Sequence, residues 1–193
     1  MDDLLKSRYP RTVSLKEGSR VVLRPLQPLD EHQLALFFGT IPAEERAMLR
    51  NNVVDASIVR KWCTQIDFRQ VLPLLALDGA RVVADATLHF HPRTWREHVA
   101  QVRIAVDPQY RARGLARLMV LELIELSLDL DVDILDAEVL SAQAAAMHLF
   151  TDVGFKQIAV LPDHARDRLG HSHDVIVISR EVKTPDVDTG GGG

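Results

Sequence analysis

The chain has 193 residues, 47% of them hydrophobic and 26% charged, with a formal net charge of −4. That size and balance fit one globular domain with a sizeable core, and the negative sign excludes a general nucleic-acid binder while leaving room for a local basic pocket. The single cysteine, Cys63, cannot close an internal disulfide, Met1–Lys6 lack a basic-then-apolar export signal, and no apolar run is long enough to span a bilayer, so the expected location is the cytoplasm, with no membrane partner.

In chain order, the segment up to Gly18 is polar and mixed, broken at Tyr9-Pro10. Arg20–Leu26 is expected as a first strand. Pro28-Leu29-Asp30 signals a helix start, with Asp30 as N-cap for a helix from His32 to Phe38. Helical patterning resumes over Pro42–Arg50 and again over Ser57–Ile66, where Asp55 or Ser57 is the cap. Val71–Leu77, the Asp78-Gly79 turn signal and Arg81–Phe90 form a hairpin, followed by a strand over His98–Val106. A helix runs from Gly114 to about Leu128, apolar on most of its circumference, with a polar stripe of Glu122, Glu125 and Asp129. Then come a strand over Asp133–Leu140, a helix over Ala142–Asp152, a strand over Phe155–Leu161, a charged loop over Asp163–Ser172 and a last strand over Asp174–Val182. This order implies an α/β (α+β) fold, a mixed sheet of six to seven strands with helices on both faces. One domain is expected over residues 1–182, with a flexible tail over 183–193.

The chemistry is densest between Ile104 and Arg117. Val102, Ile104 and Val106 share one strand face, and Pro108 stops the strand. The turn Arg111-Ala112-Arg113-Gly114-Leu115-Ala116-Arg117 then opens the long helix. A helix start leaves its first N–H groups unpaired at the positive end of the dipole and so favours an anion. Gly114 and Ala116 keep that turn bare, and Arg111, Arg113 and Arg117 suit phosphate oxygens.

This stretch resembles the acyl-CoA signature of the GNAT superfamily of N-acetyltransferases: Gln or Arg, two residues, Gly, one residue, then Gly or Ala. Here it falls on Arg111, Gly114 and Ala116, and the resemblance runs from about Arg20 to Val182. It implies a GNAT fold whose central strands splay apart, with acetyl-CoA as acyl donor. The diphosphate would lie on Arg111, Ala112, Arg113, Gly114, Leu115, Ala116 and Arg117, and the pantetheine arm along Ile104, Ala105 and Val106. A second matching segment ends in Gly154-Phe155; there Gln143 and Phe150 would line the thiol end. Phe150 stands where relatives often carry a Tyr that reprotonates the thiolate, and Gln101 stands where they often carry a Glu base. The remaining candidates for the base are His98 and Glu138, with His89 and His91 as further possibilities. Within the superfamily, Val22-Leu23-Arg24-Pro25-Leu26, the Pro42–Arg50 region and Asp85-Ala86-Thr87-Leu88-His89 resemble the acetyltransferase domains of bacterial protein lysine acetyltransferases.

The function implied is direct acetyl transfer to a primary amine, either a small molecule or a protein lysine. The alternative is a non-catalytic acetyl-CoA sensor, motivated by Gln101 and Phe150. A homodimer is the default assembly. Three other patterns point elsewhere and are set aside. Asp129–Asp133 lacks the Gly a calcium loop needs and is expected as a polar turn. His89/His91 and His171/His173 lack a third metal ligand at a set spacing. Cys63 beside Trp62 is expected as core filling.

Overall fold

A computed structural model describes residues 1–49 and 51–183. The elements are α1 (Asp2–Arg8), β1 (Arg11–Ser14), β2 (Arg20–Pro25), α2 (Glu31–Thr40), α3 (Ala43–Ala47), α4 (Ala56–Thr64), β3 (Val71–Asp78), β4 (Arg81–Phe90), β5 (Val99–Val106), α5 (Leu115–Asp129), β6 (Ile134–Leu140), α6 (Ala144–Asp152), β7 (Lys156–Arg166) and β8 (Ser172–Glu181). The tail expected from 183 onward lies outside the described residues beyond Lys183, as does Arg50. Among the described residues, no helix is long and apolar enough to cross a membrane.

The strands form one mixed sheet in the order β1-β2-β3-β4-β5-β6-β8-β7. Strand alternation sends side chains to opposite faces, and each face carries its own core. Leu72 and Leu74 of β3, Val102 and Val106 of β5, and Met119 and Leu123 of α5 share one cluster. Leu75 and Leu77 of β3, Phe37 and Phe38 of α2, and Val59 and Cys63 of α4 share the other.

One pairing departs from regularity. Strands β5 and β6 run parallel, and their register covers only Val99–Ile134, Ala100–Leu135 and Gln101–Asp136. Beyond Gln101, β5 stays in register with β4 as far as Val106, while β6 follows β8 from Ile134 to Leu140. The two central strands therefore part, as the sequence resemblance implied.

The sheet has eight strands rather than six to seven. The additional one, β1, is a mostly exposed edge strand paired antiparallel with β2 from Arg11–Leu23 to Ser14–Arg20. It and α1 lack apolar periodicity; Leu5 and Tyr9 reach the core, with Leu4 and Val13 packed against it, and charge fixes the segment on α5. Glu122 on α5 is only 4% exposed. It accepts from Arg8 Nε at 2.8 Å, Arg11 Nη1 at 2.6 Å and the Tyr9 hydroxyl at 2.9 Å. Arg8 also pairs with Glu125 and Asp129, so the polar stripe of α5 is the docking surface of the N-terminal segment. Burial and the adjacent Glu122 carboxylate push the Tyr9 hydroxyl above its ordinary pKa.

Two further expectations are corrected. Asp30 is the N-cap of α2 as expected, but its side chain makes no capping bond; its carboxylate holds Arg24 in two bonds of 2.6 and 2.7 Å and accepts from the Gln27 N–H. Strand β7 continues through the segment expected as a loop, because β8 supplies ladder partners as far as Arg166–Ser172.

Removing Glu122 strands a partly buried guanidinium and a buried hydroxyl. Glu122→Ala should cost roughly 3 kcal/mol in urea unfolding, whereas Glu125→Ala, at a side chain 61% exposed, should change stability by less than about 1 kcal/mol.

Candidate active site

The turn between β5 and α5 is built by its flanks. Asp107 is fully buried and accepts from the Gln109 N–H at 2.9 Å and from Arg81 Nη2 at 2.6 Å. Tyr110 donates its hydroxyl to Asp78, and the guanidinium of Arg113 lies 5.0 Å from the Tyr110 ring centroid. Ala112 takes φ of 59° and Gly114 φ of 84°, a left-handed conformation glycine adopts without steric cost. Gly114 is the N-cap of α5 and contributes no side chain to capping. The first helical bond runs from the Leu118 N–H to the Gly114 carbonyl at 3.0 Å. The amides of Leu115, Ala116 and Arg117 precede it and have no partner within the helix.

The arginines of the turn are distributed. Arg111 grips Glu45 of α3 with bonds of 2.8 and 2.7 Å. Arg113 pairs with Glu17 in the β1–β2 turn at 3.1 Å. Arg117 is exposed on the first turn of α5. Lys16, from that same β1–β2 turn, lays its aliphatic stem across Gly114, so that a Cβ there would sit 3.2 Å from Lys16 carbons.

The parted strands expose a directional edge. The Asp107 N–H donates to the Val83 carbonyl at 2.9 Å, extending the register in which Val106 faces Ala84. Hydrogen bonding alternates along an antiparallel ladder. The main-chain groups of Val102, Ile104 and Val106 therefore point away from β4, into the gap. The Val106 carbonyl accordingly accepts from Arg111 Nε at 3.2 Å. Ala105 directs its main chain to β4, and its methyl group packs against the α2–α4 core.

A cavity of about 810 Å³ adjoins this edge. Val102, Ile104, Gln143 and Phe150 lie on it beside the gap, and Phe38, Trp62, Asp85, Thr87, Arg103 and Glu138 belong to its other half. Gln143 is tied down, its Oε1 accepting from the Leu140 N–H at 3.0 Å. Phe150 is buried edge-on against Phe155 with ring centroids 5.0 Å apart.

The two base candidates separate. Glu138 lines the cavity, its Oε1 accepting from Gln101 Nε2 at 3.1 Å. His98 is exposed at the foot of β5, outside the cavity lining, where its carbonyl holds Asp133 and Ile134 of the neighbouring strand. The His171 and His173 rings each bring a nitrogen to 3.1 Å from Asp167 Oδ2. Those bonds, with the His171 and Leu169 N–H donors, hold the Asp167 carboxyl far below the usual range. Burial, reinforced by nearby carboxylates, pushes the Cys63 thiol up to about 11, which leaves it unreactive.

Sequence reasoning passed over Asp85. It sits on β4 opposite Leu75 of β3 and Ala105 of β5. Its Oδ1 is enclosed and lacks a hydrogen-bond partner, and burial pushes its carboxyl up to about 7. The available signal was a lone acid between Ala84 and Ala86, the one acidic residue in β4.

The Acetyltransferase (GNAT) family matches residues 41–155, more than half of the chain. The chain belongs to the GNAT acetyltransferase family. Its membership makes it an acyl-CoA N-acyltransferase, and the family implies acetyl-CoA as donor and an amine acceptor. No curated protein matches the chain. Among solved structures, the GNAT domain of S. lividans PAT aligns with TM-score 0.74 at 20% identity, covering 89% of this chain and 96% of that one. A spermidine N-acetyltransferase chimera of Vibrio cholerae and hSSAT aligns with TM-score 0.72 at 16% identity, covering 85% and 96%. The ribosomal-protein-S18-alanine N-acetyltransferase of Escherichia coli aligns with TM-score 0.69 at 19% identity, covering 87% and 97%. At these identities the likeness is one of fold.

The state of Asp85 is readable in stability. Its folded carboxyl keeps its proton up to about pH 7, while an unfolded aspartate loses it near pH 4. The folded state holds the extra proton between those values, so this group's contribution to stability falls as pH rises from about 4 to about 7. Asp85→Asn should flatten that decline and gain about 1–2 kcal/mol over wild type at pH 8, seen as a melting temperature above that of wild type at pH 8 and a gain that disappears at pH 4.

Proposed function

We propose that this GNAT enzyme acetylates a primary amine carried on a protein lysine, with residues 1–182 as its catalytic domain. The donor diphosphate rests on the bare turn from Arg111 through Ala112, Arg113, Gly114, Leu115 and Ala116 to Arg117. The pantetheine arm runs beside Ile104, Ala105 and Val106, with Ile104 and Val106 supplying main-chain hydrogen bonds. Gln143 and Phe150 flank the thiol end. The observation that carries this reading is the parting of β5 from β6 after Gln101, directly beside the open first turn of α5.

Transfer then proceeds in one displacement. The amine nitrogen attacks the thioester carbonyl, the C–N bond forms, the C–S bond breaks, and the thiolate leaves. Holding both reactants in one cleft supplies much of the rate. A main-chain N–H aimed into the gap stabilises the charge that develops on the carbonyl oxygen. Phe150 has no proton to give, so the thiolate takes its proton from the attacking amine as that nitrogen becomes an amide.

A lysine acceptor is favoured by where the lysine-acetyltransferase-like segments fall. Leu26, Met48 and Leu49, and Asp85, Thr87 and His89 all line the same cavity. Spermidine and an N-terminal-alanine peptide are the competing acceptors, and a lysine peptide should exceed both in kcat/KM, measured by thiol release. Gly114→Val should weaken acetyl-CoA binding at least tenfold by calorimetry, because φ of 84° and the Lys16 stem leave no place for a branched side chain. Unchanged affinity would remove the diphosphate from this turn.

A further inference from the structure

Where the family resemblance leads one to expect an acidic base on β5, this chain has Gln101, whose amide is engaged on both sides. Its Oε1 accepts from Arg103 at 2.9 and 3.2 Å, and its Nε2 donates to Glu138 at 3.1 Å. One strand over, β4 places Asp85 on the same face of the sheet, in register with Ala105. Asp85 is half-buried, and its Oδ1 is the one enclosed side-chain polar atom among the described residues without a hydrogen-bond partner; the residue lines the cavity. Nearby cavity walls are aromatic: Phe38 and Trp62 meet edge-on with centroids 5.9 Å apart.

Leaving a carboxyl oxygen enclosed without a partner is costly, and a cationic ligand would offset that cost. Aromatic rings beside a carboxylate form a setting suited to an alkylammonium, through ring quadrupoles and charge pairing together. A carboxyl with a proton affinity raised toward neutrality is also matched to removing a proton from such a group.

Resting on the acetyltransferase reading above, we propose that Asp85 is the catalytic base of this enzyme and that the acceptor it selects is a primary alkylammonium. The ammonium enters between α2 and α4 and gives one proton to the Asp85 carboxylate. The freed nitrogen pair attacks the thioester, and a second proton passes from that nitrogen to the departing thiolate. Asp85 then returns its proton to water, so that one acyl-CoA and one ammonium give one amide, one thiol and one proton. Other ionisable groups share the cavity: Lys61 on α4, Asp67 after it, His89 on β4, Arg103 on β5 and Glu138 on β6. His164, Arg166 and Asp167 face it from the β7–β8 side. Glu138 and Arg103 are joined through Gln101, and Asp167 is held by two histidines.

The test compares full-length wild type, Asp85→Asn and Asp85→Glu by thiol release from acetyl-CoA with two acceptors. One is a lysine peptide, an ammonium at neutral pH. The other is an aminooxy compound, already neutral at that pH and needing no base. For Asp85→Asn, kcat/KM toward the lysine peptide should fall roughly 10²–10⁴-fold, with the aminooxy compound changed by less than about threefold. The rise of wild-type kcat/KM with pH near neutrality should vanish in Asp85→Asn and reappear in Asp85→Glu. Equal loss toward both acceptors, or loss toward neither, overturns the proposal, as does a pH limb that survives in Asp85→Asn. Calorimetry separates the two levels of the argument. Acetyl-CoA bound normally by an Asp85→Asn variant that still turns over lysine peptide sinks Asp85 alone, whereas a wild type that neither binds acetyl-CoA nor releases thiol sinks the donor site and this proposal with it.

Discussion

Everything about this site depends on a parallel ladder that stops early. Strands β5 and β6 share three registered pairs and then diverge. Each is held from its far side, β5 by β4 along its whole length and β6 by β8. That outer support lets the centre of the sheet open without unravelling. A main-chain edge buried in a sheet normally has its partners already, and here one edge of β5 is presented to a cleft instead. The turn after β5 extends the same opening into α5, whose first amides carry partial positive charge.

The two faces of the sheet divide the labour. On one side α5 covers a continuous apolar layer and sets the direction of its own N-terminus. On the other, α2 and α4 stand over β4 and β5, where polar side chains interrupt the apolar pattern: Asp85, Thr87, Gln101 and Arg103. The cavity joins the two sides through the gap. Donor and acceptor can thus approach one reacting centre from different layers, an arrangement that suits direct transfer and needs no covalent enzyme intermediate.

Much of this was legible in the residues. The Asp78-Gly79 turn, the Asp55 cap and the bare Gly114 each act through local backbone chemistry, and each lies where the sequence places it. What was not legible depends on distant partners. Arg8 and Arg11 look like surface charges until Glu122, more than a hundred positions away, gathers them. Asp30 has the chemistry of a cap, but Arg24 offers a bidentate partner and takes its carboxylate. Asp85 shows in the sequence only as an acid between two alanines, because the enclosure of its Oδ1 comes from the tertiary packing around it.

The Arg111–Glu45 pair joins the turn between β5 and α5 to the segment that ends in the cavity wall at Ala47, Met48 and Leu49. Both side chains are 41% exposed, so the pair contributes under about 1 kcal/mol and an incoming dianion can compete for the guanidinium cheaply. The tie is thus slight as energy and matters as placement, since it registers α3, and the chain leading on to Met48 and Leu49, against the start of α5.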